Sequence, residues 1–303
     1  MGKQWRGGIT LLSLAALVVL ALVLLLIRFY PYTYDFPTLP RITHTVSGAA
    51  GDPLNIVIIG SEQQITQGFR HAGWLIPDPI TPQTSARIAA DSLAHRSYPT
   101  APVSNLYVFG HAQDLAFEKP TNDVQNRGHI RLWTAGTDVG GQSLWLGQTS
   151  YDHGIELSGT NHLPTHHILP TVDLERNAVG ADLAATGLVV SESYAAFAAP
   201  IFVAYNGGGD YYASDGDLLV INLTQTRLTL AKSEGIVPGL KRGAFVVYDA
   251  LLSTLLLALA AGAVVLALLL MALWPALRWL VQRAGLHSGG RRSNSRDATH
   301  AEG

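Results

Sequence analysis

The chain of 303 residues is 48% hydrophobic but only 14% charged, contains no cysteine and carries a formal net charge of −2. So apolar a composition departs from that of an ordinary soluble domain, and the missing cysteines exclude a disulfide framework, a thiolate metal site and a cysteine nucleophile. Residues 29–249 hold 12 Lys and Arg against 20 Asp and Glu, an acidic balance that argues against nucleic acid as a partner, because phosphate contacts need the opposite sign.

After a short stretch, 1–8, the first element is an apolar run from Ile9 to Ile27 with no Asp, Glu, Lys, Arg or His. At about 1.5 Å per residue it covers about 28 Å, close to the roughly 30 Å hydrocarbon core of a bilayer, so a transmembrane helix is predicted over 9–27. It is too long for the apolar region of a signal peptide and lacks a small-x-small cleavage site, which predicts an uncleaved anchor. Phe29, Tyr30, Tyr32 and Tyr34, with Trp5 at the other end, form an interfacial aromatic belt. Residues 28–53, punctuated by Pro31, Pro37, Pro40 and Pro53, suit an extended stalk.

One globular domain is expected over 54–235. A short strand at Asn55–Ile59 leads through Gly60 to a helix with Ser61 as N-cap and Gln64 as capping-box partner, burying Ile65 and Phe69 and ending at Gly73. A second helix is predicted from Thr81, with Pro82 in its first position, to about His95, turning Ile88 and Leu93 inward. Alternation and β-branched or aromatic residues then predict strands at Leu106–Phe109, His129–Trp133, Leu144–Tyr151 and Leu218–Leu223, with turns at Gly140–Gly141 and Gly207–Gly209. A third helix fits Asp173–Ala185, with Leu174, Ala178 and Ala181 on the buried face and Gly187 after its end. The apolar stretch Leu188–Ala204 reads as a strand pair. The expected fold class is α+β, a largely antiparallel sheet with helices on one face.

After a linker, 236–249, a second charge-free run from Ala250 to Trp274 predicts a second span. Ala258 and Gly262 within it have the small-residue spacing that lets helices approach; pairing with the first span is the simpler use of it than self-association. Residues 275–303 suit a short interfacial helix, Ala276–Leu286, and a disordered tail. Lys3, Arg6, Arg278, Arg283, Arg291 and Arg292 flank the spans on the terminal side, and Arg28, Arg41, Lys232, Lys241 and Arg242 on the domain side. That balance, with the acidic middle, places both termini in the cytoplasm and the domain outside.

The densest polar cluster is His162, His166, His167, Asp173 and Glu175, with His129, Asp152 and His153 on neighbouring predicted strands. Imidazoles and carboxylates at this density can ligate a divalent cation that activates water. Adjacent His166 and His167 on a strand face opposite ways, however. Asp173 and Glu175 are also explained as N-cap and first-turn carboxylate of the third helix. No His-Glu-x-x-His spacing occurs. Asp114, Glu118 and Lys119 read as a surface ion-pair group at a hairpin, and Gly207–Gly209 as a plain turn rather than a phosphate loop. There is no Gly-x-Ser-x-Gly elbow, no Gly-x-x-x-x-Gly-Lys loop and no Lys-x6-Arg-Pro signature of membrane lipid phosphatases.

From about Asp52 to Leu223 the chain resembles the LssY C-terminal domain family. The resemblance is carried by Tyr98-Pro99-Thr100-Ala101-Pro102-Val103-Ser104, Asp114-Leu115-Ala116-Phe117-Glu118-Lys119-Pro120, Leu144-Trp145-Leu146-Gly147 and Thr165-His166-His167-Ile168, followed by Val172-Asp173-Leu174-Glu175-Arg176 and Asn206-Gly207-Gly208-Gly209-Asp210. Leu169 departs from the pattern, standing where many members carry an acidic residue. The resemblance implies a bacterial envelope protein, hence spans in the inner membrane, and no particular reaction. The leading expectation is therefore an anchored, non-catalytic module, without cofactor, that binds an envelope protein or lipid in a secretion-related or lipid context. The alternative is a metal-dependent hydrolase acting on an envelope substrate such as a lipid headgroup, its site drawn from His166 or His167 with Asp152, His129 and Asp173.

Overall fold

The computed structural model describes residues 36–139, 141–157 and 164–224, with isolated positions nearer both ends, among them Lys241. The expected spans at 9–27 and 250–274, the linker and the tail lie almost wholly outside the described residues. Among the described residues no helix is long and apolar enough to cross a membrane. Two compact units are distinguished, Met1–Phe245 and Val246–Gly303, and the domain belongs to the first.

The domain is a mixed α+β structure built around a seven-stranded sheet. At its centre is β3 (Ile56–Ile59), four consecutive buried β-branched residues, which require cover on both faces. β1 (Ile42–His44) and β2 (Ala50–Pro53) precede it. The rest follow in order: β4 (Tyr107–Val108), β5 (His111–Ala112), β6 (Leu115–Lys119), β7 (Asn126–Val139), β8 (Gln142–Leu157), β9 (Pro164–Ile168), β10 (Ser191–Ala196), β11 (Ile201–Tyr205), β12 (Tyr211–Ser214) and β13 (Asp217–Asn222). The main sheet runs β10-β13-β3-β8-β7-β6, with β9 taking the edge of β8 beyond β3. Only β13 and β3 pair in parallel; the other neighbours are antiparallel. The strands at β7 and β8 extend well beyond their expected limits, and β6 was not expected at all.

Among the described residues three helices accompany the sheet: α1 (Glu62–His71), α2 (Pro82–Leu93) and α3 (Val172–Ala185). The capping box of α1 forms as expected, Gln64 N–H donating to Ser61 Oγ at 3.2 Å and Ser61 N–H to Gln64 Oε1 at 2.9 Å. Such a cap contributes about 1 kcal/mol. Ile65 and Phe69 of α1 and Val179 and Leu183 of α3 join Ile56, Ile130, Leu132 and Leu219 in one core cluster.

Two helix faces differ from expectation. Leu93 of α2 is 86% exposed, because the helix rests on a small cluster of Tyr98, Ala101 and Val124 through Ile88 and buries Asp91 and Ser92 instead. In α3, Leu174, Ala178 and Ala181 face solvent, while Val172, Arg176, Val179 and Leu183 face inward. The polar Asp173 and Arg176 are drawn into a buried ion network, and that rotates the helix relative to its apolar pattern.

The opposite face of the sheet carries a second cluster, including Val57, Ile59, Trp133, Leu144, Leu146, Leu218 and Val220. It is joined by Val108 of β4, in a small four-stranded sheet of order β2-β1-β4-β5, and by Leu106 just before that strand. A two-stranded hairpin, β11 with β12, completes this side, tied to the small sheet by Gly207 N–H donating to Ala50 O at 2.5 Å.

Gly147 of β8 shows how closely the central strands approach. A methyl group there would stand 2.6 Å from Ile56 Cγ2 and 2.8 Å from Leu132 Cδ2. Gly147→Ala is therefore expected to destabilise the domain by about 1–3 kcal/mol through overpacking, read as a lowered denaturant midpoint. Parental stability would mean that β3 and β7 yield freely at this point.

Candidate functional site

Side-chain alternation along β7 and β8 divides the two faces sharply. Gly128, Ile130 and Leu132, with Trp145 and Gly147, turn toward α1 and α3. Arg127, His129 and Arg131, with Gln148, Ser150 and Asp152, turn to the other face, where the register pairs Arg127 with Asp152, His129 with Ser150 and Arg131 with Gln148. Glu118 of β6 stands opposite His129 on that same face. All seven side chains belong to buried residues. So many polar groups are buried together only when they are mutually bonded or serve a ligand.

Five of them, Arg127, His129, Arg131, Ser150 and Asp152, floor a cleft of about 630 Å³. Its walls come from Thr45–Asp52 in part, from Ser104–Leu106, and from Asn206–Gly208 with Asp210; His166 of β9 closes one side.

Asp152 is the hub. Its Oδ2 lies 2.6 Å from His129 Nε2, 3.6 Å from His166 Nδ1 and 3.6 Å from Arg127 Nε. Burial works against its charge, but the hydrogen bond and attraction from His129, with His166 and Arg127, hold the carboxyl well below the usual carboxylate range. Burial pushes His129 down to about 4 and lowers His166 as well, with Asp152 opposing in both cases. At neutral pH both imidazoles are thus uncharged. His129 donates from Nε2 to the carboxylate. Its Nδ1 and the Nε2 of His166 are buried without a hydrogen-bond partner.

Arg127 braces the floor. It donates to Glu118 Oε2 at 2.5 Å, to Ala101 O at 2.9 Å and to Pro102 O at 3.1 Å. Burial pushes the Glu118 carboxyl up to about 8 against the attraction of Arg127. Arg131 donates to Ser104 O at 2.9 Å and to Gln148 Oε1 at 2.8 Å. The Gln148 amide in turn donates to Asp52 Oδ2 at 3.2 Å, and Asn206 donates to Asp52 Oδ1 at 2.9 Å.

Of the residues expected at a site, His129, Asp152 and His166 converge. His167 does not join them; it pairs with Asp210, a wall residue. Asp173 lies elsewhere and is not the helix cap, a position held by Thr171. Its carboxylate accepts from Asp215 N–H at 2.6 Å and Ser214 Oγ at 3.1 Å and lies 3.3 Å from Arg176. Glu175 sits across the sheet against Gly128, its carboxyl pushed up to about 8 by burial and then by Asp182. His153 bonds Asn126 at the surface, and His162 lies outside the described residues. Among the described residues no group of three or more His, Asp or Glu could hold a metal ion.

The expected surface group at Asp114, Glu118 and Lys119 is corrected in part: Glu118 is fully buried, whereas Lys119 pairs with Asp182 at 2.9 Å near the surface. Gly207–Gly209 is a turn, and its N–H groups are consumed by Ala50 O, Asn206 Oδ1 and Asn206 O. The site residues that sequence reasoning missed are Arg127, Arg131, Gln148, Asp52 and Asn206. The sequence does hold one signal for two of them: Arg127-x-His129-x-Arg131 puts three basic groups on one face of a strand whose other face is Gly, Ile and Leu.

A model of the LssY C-terminus matches residues 36–218. The chain belongs to that family. No curated protein and no solved structure matches it. In this LssY C-terminal domain four of the six segments that carried the resemblance meet around the cleft. Tyr98–Ser104 supplies the carbonyls that hold Arg127 and Arg131, Asp114–Pro120 supplies Glu118, Thr165–Ile168 supplies His166, and Asn206–Asp210 supplies a wall of the cleft.

Proposed function

We propose that this domain is a hydrolase held at the bacterial inner membrane, in which His166 acts as general base on water and the substrate is a polar ester of the envelope such as a lipid headgroup. The observation that carries the proposal is the His166 ring itself: the residue lines the cleft, its Nδ1 lies 3.6 Å from the ionised Asp152, and its Nε2 is buried without a partner. Such a ring is held in the tautomer that leaves a lone pair on Nε2. Among the described residues no hydroxyl is bonded to that nitrogen, which supports water rather than a side chain as nucleophile.

In the proposed reaction the water oxygen bonds to the ester centre as its proton passes to Nε2. The ester bond to the leaving oxygen then breaks and that oxygen takes the proton back. Asp152 stabilises the imidazolium between the two transfers. His129 is a positioning residue, fixing the Asp152 carboxylate from the other side. The 3.6 Å separation of His166 and Asp152 is of the kind that tightens when substrate excludes solvent. The apolar runs at 9–27 and 250–274 support anchoring with both termini cytoplasmic and this domain outside.

His166→Ala is expected to lower turnover of a hydrolysable headgroup ester about 10²–10⁴-fold with an unchanged unfolding midpoint. The base must be unprotonated to act. Because burial lowers the His166 pKa, activity should persist at high pH and fall only as pH drops below the ordinary imidazole range. Turnover that survives the substitution would sink the proposal, and a cleft that binds without turnover would leave the non-catalytic module in its place.

A further inference from the structure

Arg131 is the lining cation that, among the described residues, has no carboxylate in direct contact: Asp52 and Asp152 attract it only from beyond ion-pair distance. It is 7% exposed, and its bonds go to a backbone carbonyl, Ser104 O, and to a neutral amide, Gln148 Oε1. Among the described residues it forms no ion pair. Arg127, by contrast, has Glu118 and Asp152; Asp152 has His129; and Asp210 has His167. The natural counter-ion for Arg131 would be Asp52, but Gln148 stands between them, its oxygen on the guanidinium and its nitrogen on the carboxylate. A buried guanidinium whose nearest carboxylates are held off by a neutral amide is only partly compensated for its lost hydration, and a ligand that brings a charge into direct contact offsets the rest.

We infer that the ligand of this cleft carries a phosphoryl group bound at Arg131. The inference rests on reading the cleft as the substrate site, and it adds the substrate class. A guanidinium presents a planar fork of donors matched to two oxygens of one anion. A second donor, Arg127 Nε–H, is buried without a hydrogen-bond partner on the same floor, and the hydroxyls of Ser104 and Ser150 line the cleft. Donors approaching from several directions suit a tetrahedral anion better than a flat carboxylate. A quaternary amine is disfavoured, because the lining contains no Phe, Tyr or Trp to form a cation-binding cage. His129 and His166 line the same cleft as Arg131, which puts the proposed base in the pocket that would hold the phosphoryl group.

The test is calorimetric titration of the full chain in detergent micelles with inorganic phosphate and with glycerol phosphate. Saturable binding is expected for the parent, and Arg131→Gln should weaken it about tenfold or more, the loss of one charge-assisted hydrogen-bonded contact. Arg131→Lys, which keeps the charge but loses the fork, should fall between, and it guards against a glutamine variant that fails to fold. Transfer to nanodiscs with and without phosphatidic acid separates the two sources. Arg131-dependent binding only to phosphatidic acid names a lipid headgroup, while binding of the soluble esters names a free phosphoester; either supports the inference. No saturable binding by the parent, equal binding by both Arg131 variants, or equal affinity for succinate would overturn it. Arg131-dependent phosphate binding without any turnover would leave this inference standing and remove the hydrolase; turnover lost in His166→Ala without phosphate binding would do the reverse.

Discussion

Asp152→Ala is expected to cost the domain about 3–5 kcal/mol, the size of loss seen when one partner of a buried ion cluster is removed. The carboxylate lies within ion-pair distance of His129, His166 and Arg127, the first and last of which are almost wholly buried. Without it, a neutral His129 loses its acceptor and Arg127 keeps, beside two backbone carbonyls, only the Glu118 carboxyl, which burial has already pushed up to about 8. Asp152→Asn separates structure from chemistry. The amide oxygen still accepts from His129, so most stability should return, yet no negative charge remains to stabilise a protonated His166, and turnover should stay about 10²–10⁴-fold down. Denaturant midpoints and initial rates read the two effects separately; an asparagine variant with full activity would show that the Asp152 charge has no catalytic part. The sign with pH is also fixed. A carboxyl held below its ordinary range contributes stability above its unfolded pKa and loses it as pH falls through the folded value, so this contribution should survive mild acid and vanish only below the usual carboxylate range.

Arg176→Ala should be comparably damaging, about 3–5 kcal/mol, at a place remote from the chemistry. The guanidinium of α3 grips the turn between β12 and β13, donating to Asp215 Oδ1 at 2.9 Å, Asp215 Oδ2 at 3.1 Å and Asp217 O at 2.8 Å. Burial alone would discourage the charge on Asp215, but Arg176 pulls its carboxyl below the usual range, while Asp173 beside it is pushed up to about 7 by burial. Arg176→Met keeps much of the volume and still strands Asp215, so it should recover little. A loss below about 1 kcal/mol for either variant would mean that the turn is held by its own hydrogen bonds.

Local signals in the sequence reached the parts of the fold that are themselves local. Ser61 and Gln64 define the start of α1 because both halves of the capping box lie within one turn, and the run Asn55–Ile59 identifies the central strand by its apolar continuity. The face of α3 was misjudged, since Leu174, Ala178 and Ala181 have the right spacing but Asp173 and Arg176 are recruited by Asp215, far along the chain. Three of the site residues, His129, Asp152 and His166, stood out by residue type. Arg127, Arg131 and Gln148 did not, because a buried arginine or glutamine is distinguishable from a surface one only through its partners. Those partners, Ser104 and Asp52 among them, are fixed by strand register and not by any periodicity of β7 or β8 themselves.

The parallel pairing of β3 with β13 has a consequence for how the domain comes into being. Ile56–Ile59 is made early in synthesis, but its partner Leu219–Asn222 comes last among the described strands. Joining them closes most of the domain into one loop, whose ordering entropy must be met before the contact returns anything. Until then β3 offers an apolar, unpaired edge to any extended segment nearby. A chain that is stalled or cut before Asp217 thus carries its most adhesive strand open, and its fate is set by how fast a chaperone or a protease reaches that edge.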